Sequence, residues 1–276
     1  MGSSTAENVV ILEWKFIMMK NMPALFISKT SHLYSLQVNN GSAKIIDELT
    51  SLPAPKAVLI ISSTASTSTI SVITKDLKSE KSVGRESTRN YINSDYSIPE
   101  SFEFSQSLMV TFMAQGLPVT AYNNAVFDVE AIDILEPLLQ YQKIPIVQIS
   151  VIKNATPAYY YLLGQALANL KSKGVLIIGS GSLTCHHPLT TEHSQVPDWV
   201  IEFETWMQEQ IAQNNIYKLI DYRKEAPFAR FNHPTEDELV PLFVIMGAME
   251  IGAKSKQVYL KNQSKKMPLD GFVFSS

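Results

Sequence analysis

Cysteine is almost missing from this chain. One residue of 276, Cys185, is of that type, so no internal disulfide can form, and the usage fits a reducing compartment. No apolar run reaches the roughly 18 to 20 residues needed to span a bilayer. An excess of either charge is missing too: 23 Lys and Arg stand against 26 Asp and Glu, for a net charge of -3. Cations scattered in this way make no basic field for a phosphate backbone, which argues against nucleic acid as a partner. Glycine is sparse, with 11 residues, and there is neither a phosphate-cradling loop nor a Walker-like lysine. Gly179-Ser180-Gly181 reads as a tight strand-to-loop turn. These absences lead to the expectation of a cytoplasmic protein without a membrane span.

What is present is apolar bulk. With 45% apolar and 18% charged residues, the chain can bury one large core, and the reading is a single domain over residues 22–276 preceded by an apolar extension, residues 1–21. The extension carries Glu7 and Glu13 where a secretory signal would have a basic start and a clean apolar centre, and no small-residue cleavage site follows. Two readings of it stay open. It is an added strand or short helix packed on the domain, or it is an oligomer contact or peripheral anchor, and the second is compatible with a homodimer.

Short runs that are apolar throughout mark strands covered on both faces. They are Met22 to Ser28, Ala57 to Ser63, Pro118 to Tyr122, Ile144 to Ser150 and Gly174 to Ser180. Between and after them, helical periodicity runs over Ala43 to Thr50, Phe104 to Gln115, Ala131 to Gln140, Pro157 to Lys173 and Pro197 to Gln213. Alternation of this kind predicts an α/β fold with a largely parallel central sheet flanked by helices. Loops at the carboxyl ends of such strands converge on a crevice, and here they begin at Ser28, Ser62, Tyr122, Ser150 and Ser180. Thr64 to Thr69 and Lys75 to Asn93 read as irregular loops, and Gln257 to Phe274 as one or two edge strands.

The stretch richest in chemical groups is Ala229-Arg230-Phe231-Asn232-His233-Pro234-Thr235-Glu236-Asp237-Glu238-Leu239-Val240-Pro241-Leu242. It resembles the H-P-T-x-E-H-x-L-P-L segment of class III extradiol ring-cleavage dioxygenases, in the branch that includes the 4,5-DOPA extradiol dioxygenases. The resemblance runs from about Met22 to the C-terminus and implies the α/β fold of the catalytic B-like subunit. Family enzymes hold Fe(II) with three side chains at an open face. The resemblance places Glu238 at one ligand histidine, Lys29 at the histidine of a G-H-G-S-P loop, and Thr64 at the histidine of S-A-H-W. Two further family histidines do acid/base work. Val129, between Asp128 and Glu130, falls at one, and Cys185, followed by His186, falls at the other. His233 matches the histidine of H-P-T, which implies a part in positioning substrate; fixing the loop before Pro234 is the alternative.

The substitutions change the chemistry. A lysine ammonium has no lone pair for a metal, a threonine hydroxyl is a weak ligand, and one carboxylate holds Fe(II) poorly against water. The expectation is a chain with no metal and no cofactor, in which Lys29, Thr64, Cys185, Glu238, Asp128 and Glu130 ring the old metal position. Lys29 and Glu238 read as a filler ion pair, or as fixed charge for an anionic or phenolic ligand, or, with lysine as a Schiff-base nucleophile, as catalytic groups. Cys185 reads as an inert thiol unless His186 activates it. Three functions follow: binding of an aromatic or phenolic small molecule or a partner without ring cleavage; metal-independent lyase, isomerase or cyclase chemistry on a phenolic or carbonyl compound with Lys29, Glu238, Cys185 and His186 as catalytic groups; and dioxygenase activity through a substitute ligand set. In the first, Thr64, Asp128, Glu130 and His233 contact the ligand.

Overall fold

A computed structural model describes residues 21–28, 49, 51–73, 100–122, 128, 131, 135, 144–184, 197–250, 252–260 and 269–275. The expected extension before residue 21, the Lys75 to Asn93 loop and most of the Ala43 to Thr50 and Ala131 to Gln140 helices lie outside them, although Leu49, Ala131 and Leu135 are helical.

Eight strands form one mixed sheet: β1 (Ala24–Ser28), β2 (Ala57–Thr67), β3 (Ile70–Ile73), β4 (Val119–Tyr122), β5 (Ile146–Ile152), β6 (Val175–Gly181), β7 (Lys254–Leu260) and β8 (Leu269–Ser275). Their order across the sheet is β4-β3-β5-β2-β6-β1-β8-β7. The central four, β5, β2, β6 and β1, are parallel, and β3 and β8 join this block antiparallel. The helices are α1 (Glu100–Ala114), α2 (Pro157–Leu167), α3 (Asn169–Ser172), α4 (Asp198–Ala212), α5 (Ile216–Ile220), α6 (Tyr222–Glu225), α7 (Ala229–Asn232) and α8 (Val240–Gly247).

Because strand side chains alternate, each central strand feeds two cores. Leu59, Ile61, Ile177 and Val147 join the larger one with Phe112, Phe203 and Phe243. Val58, Ile60, Leu176 and Ile146 join the smaller one with Leu49, Ala131 and Leu135. Burial on both sides is why these strands read as unbroken apolar runs. Helix α8 (VPLFVIMG) is buried at all eight positions, as a helix apolar all round must be. It begins at Val240, two residues past Glu238.

The structure corrects four expectations and narrows a fifth, that of one or two C-terminal edge strands, to one. Thr64 to Thr69 is not an irregular loop: β2 runs on to Thr67 and β3 follows at Ile70, since β-branched Thr and Ile suit a pleated backbone. Along β2, Ser62 faces Ser150 and Ser66 faces Val151, so residues 63, 64 and 65 form a bulge with no counterpart on β5. The Val119–Tyr122 strand is not covered, because it is the outermost strand and its last three residues are exposed. Of the two C-terminal strands only β7 is at an edge, as β8 lies between it and β1. The Pro157 to Lys173 helix divides at Ala168, whose N–H bonds to the Gln165 carbonyl. Gly179-Ser180-Gly181 is strand, not turn. Those glycines are there for proximity: a Cβ on Gly179 would meet the Pro241 carbonyl oxygen at 2.8 Å, and one on Gly181 would meet that of Glu238 at 2.1 Å.

Candidate functional site

The parallel strands bring Ser62, Ser150 and Ser180 level at their carboxyl ends. Three successive hydroxyls at the end of β2 then serve two carboxyl groups. Ser62 points to the side of Val58 and Ile60, where its Oγ donates to Asp128 Oδ2 at 2.5 Å. The Thr64 hydroxyl donates to the same oxygen at 3.3 Å, and the Thr64 N–H donates to Ser62 Oγ at 3.0 Å. Asp128 Oδ1 accepts the N–H of the helical residue Ala131 at 3.1 Å, three residues on, the spacing of a helix-capping side chain. The Asp128 N–H in turn donates to Gln148 Oε1 on β5 at 2.8 Å. Asp128 is 2% exposed; its carboxyl ties the helical residue Ala131 to β2 while its N–H reaches β5.

Ser63 turns to the opposite face of the sheet, and its hydroxyl donates to Glu238 Oε2 at 2.9 Å. Glu238 is half-buried. Its backbone carbonyl accepts the Ser182 N–H at 2.7 Å, a contact that the missing side chain of Gly181 permits. The loop that carries Glu238 is therefore pinned to the end of β6 while its carboxylate meets the end of β2.

His233 secures the same loop from behind. Its Nε2 donates to the Leu183 carbonyl at 3.0 Å, which fixes the proton on that nitrogen. Its ring packs against Phe203 and Tyr222, with centroids at 5.5 and 6.3 Å. Burial, together with the positive charge of Arg223, outweighs the Leu183 hydrogen bond and lowers the imidazole pKa to about 4. Arg223 Nη2 donates to the His233 carbonyl at 2.9 Å, and its Nε pairs with Glu236 at 2.5 Å. Ser28, at the end of β1, accepts the Leu183 N–H at 3.1 Å.

Three of the residues singled out in the sequence, Thr64, Asp128 and Glu238, thus meet at the end of β2. His233 is placed in the packed layer behind them at 2% exposure. Lys29, Glu130, Cys185 and His186 lie outside the described residues. Sequence reasoning passed over the parts of Ser62 and Ser63, which bond the two carboxyl groups, and of Gln148, which accepts the Asp128 N–H. Their one legible signal was the run of hydroxyl residues directly after an apolar strand.

The fold and the loop from His233 to Leu242 decide the ancestry, and comparison with known proteins agrees. Residues 19–268 match the family described as the catalytic LigB subunit of aromatic ring-opening dioxygenase. The chain belongs to this family. It is 28% identical over 256 residues to the 4,5-DOPA dioxygenase extradiol of Beta vulgaris, a match spanning 91% of this chain and 96% of that protein. The protein of the same name from Mirabilis jalapa is 34% identical over 118 residues, covering 42% of this chain and 44% of its own length. That of Escherichia coli K12 is 25% identical over 242 residues, covering 83% and 86%. The crystal structure of an uncharacterized Escherichia coli K12 protein superposes with a TM-score of 0.71 at 22% identity, covering 92% of this chain and all of that one, which shows a shared fold.

A ferrous ion of the kind the family implies can be tested against the donors in place. At the two described positions that the resemblance assigns to ligands stand a neutral threonine hydroxyl, hydrogen-bonded to Asp128, and a carboxylate that accepts from Ser63. Among the described residues no group of three His, Cys, Asp or Glu is placed to hold a metal ion. These two donors by themselves do not make an Fe(II) site, which needs imidazole or further carboxylate donors to compete with water; the third aligned position, Lys29, lies outside the described residues. Among the described residues, likewise, no helix is long and apolar enough to cross a membrane.

Proposed function

We propose that this chain is a ring-opening-dioxygenase relative without the ferrous centre, which binds an aromatic or phenolic small molecule at the carboxyl ends of β1, β2 and β6 without cleaving the ring. The observation that carries this reading is the hydrogen-bond layer at the end of β2. Thr64 and Glu238, standing where family alignment expects metal ligands, are tied to Asp128 and Ser63 instead. Such a layer offers acceptors and hydroxyls to a phenol's O–H, and the family relationship supports an aromatic shape for the ligand. Lys29, Glu130, Cys185 and His186 enter the reading by alignment alone.

Two measurements test it. After anaerobic incubation with Fe(II) and desalting, elemental analysis is expected to find iron far below one per chain; near-stoichiometric iron would overturn the loss of the metal. A thermal-shift panel of phenols is expected to include at least one ligand that stabilises the protein by about 2.7 kcal/mol at a hundred times its Kd. No stabilisation across the panel would remove the small-molecule reading.

The half-buried carboxylate of Glu238 favours a second reading, metal-independent lyase, isomerase or cyclase chemistry. A half-exposed carboxylate can take up or release a substrate proton. Turnover of a phenolic or carbonyl compound that disappears in Glu238→Gln while ligand binding persists would select this reading over simple binding.

A further inference from the structure

Residues 234–239 run as bends and turns rather than helix or strand, so the course of the loop that carries Glu238 depends on the groups it is tied to. Two ties reach β6 and the residues after it: the Ser182 N–H holds the Glu238 carbonyl, and the His233 ring holds that of Leu183. Arg223 supplies a tie of another kind. Its Nη2 donates to the His233 carbonyl and its Nε to Glu236 Oε1, so one guanidinium spans two points of the loop three residues apart. The Glu236 carbonyl in turn accepts the Leu239 and Val240 N–H groups at 3.0 and 3.1 Å, which closes the turn on which Glu238 sits. Arg223 is thereby connected, through Glu236, to the backbone of Glu238.

The arginine starts from a fixed base. Tyr222, beside it on α6, is buried; its ring stacks on Phe243 with centroids 6.0 Å apart and meets Phe203 edge-on at 6.3 Å. The side chains of Arg223 and Glu236 are 26% and 24% exposed, a setting in which a lone ion pair adds little to stability. What a planar fork adds is direction: it holds two acceptors at once, and the point charge of a lysine cannot reproduce that. We propose that Arg223 is a positioning residue of the candidate site, which acts through Glu236 and the His233 carbonyl to set where the Glu238 carboxylate stands at the end of β2. The consequence for ligand binding rests on the reading of Glu238 as a ligand-binding group; the positioning itself does not.

Two readouts on the full-length protein test it. Amide hydrogen exchange at Ser182, whose N–H is held by the Glu238 carbonyl, reports whether the loop is docked, and Ile177, within β6, reports global opening. Arg223→Ala should speed exchange at Ser182 at least about tenfold and that at Ile177 far less. It should also raise the Kd for catechol, measured by calorimetry, about fivefold. Arg223→Lys should recover only part of either effect. Lys224→Ala, next along α6, removes an amine that pairs with Asp221 instead, and should change neither readout. Unchanged exchange at Ser182 in Arg223→Ala would overturn the proposal. So would a rise by the same factor at Ser182 and Ile177, which would make Arg223 a contributor to global stability alone, and so would full recovery by lysine, which would reduce the fork to a charge. A loosened Ser182 with an unchanged Kd for catechol would overturn the link from loop to ligand. A wild type that does not bind catechol would count against the phenol reading of the site, and exchange at Ser182 would still decide the role of Arg223.

Discussion

Asp128 and Glu238 approach the same end of β2 from opposite faces of the sheet, yet they are held in opposite ways. Asp128 is buried, accepts from Ser62, Thr64 and the Ala131 N–H, and uses its own N–H on Gln148. Glu238 is half-buried and meets one hydroxyl, that of Ser63. One carboxyl group is spent on architecture. The other is carried on a loop whose backbone is anchored to the end of β6. This contrast supports the proposal that Glu238, rather than Asp128, takes part in ligand binding.

The contrast can be broken most severely at Asp128. Replacing it with Ala leaves a serine hydroxyl and a backbone N–H buried without their acceptor, and should cost about 3 kcal/mol; urea unfolding measures it, and a loss under about 1 kcal/mol would mean that Asp128 is not structural. Next comes Gly181→Ala, which drives a methyl into the Glu238 carbonyl and should cost about 2 kcal/mol while weakening ligand binding, because the loop must lift. If stability falls and binding stays, the loop is not the binding element.

His233 gives a pH handle on the same loop. Its pKa is lowered in the folded protein from 6.5 to about 4, so the unfolded chain takes up the proton first. Stability is complete above pH 6.5 and falls as the pH drops toward 4. The loss should reach about 2 kcal/mol by about pH 5. Unfolding free energies that stay flat from pH 6.5 to about pH 5 would show that the ring is not held neutral. The smallest effect on stability, within about 0.5 kcal/mol, is expected for Glu238→Gln, which keeps the Ser63 hydrogen bond. It should nonetheless change the thermal shift given by phenolic ligands, and an unchanged shift would dissociate Glu238 from binding.

The central strands were legible because burial on both faces leaves a continuous apolar run, and the α4 helix because Trp199, Phe203 and Trp206 recur at helical spacing. The outer strands were less so. Ile70–Ile73 is four residues among serines and threonines, and nothing local separates it from a loop. Val119–Tyr122 has the composition of a covered strand, and only the strand order shows that it is an edge. At the site, short motifs singled out Thr64, Asp128 and Glu238, and the fold carries Asp128 and Glu238 to hydroxyls at the end of β2. The serines that connect them carry no motif, and the closeness of Gly181 to Glu238 is a long-range fact that no window of sequence contains. His233 looked like either a site residue or an anchor, and its 2% exposure and the Leu183 carbonyl place it in the packed layer.

The bulge at residues 63 to 65 separates what may vary in this chain from what may not. These three residues have no counterpart on β5, so the ladder places no demand on which side chains they carry. Their number is another matter. Removing or adding one residue would shift the chain that follows by one place and exchange the faces of Ile70 and Val72, which pack in the larger core, with that of Ile73, which packs in the smaller one. A library of variants at these positions should therefore accept many exchanged letters and almost no change of length.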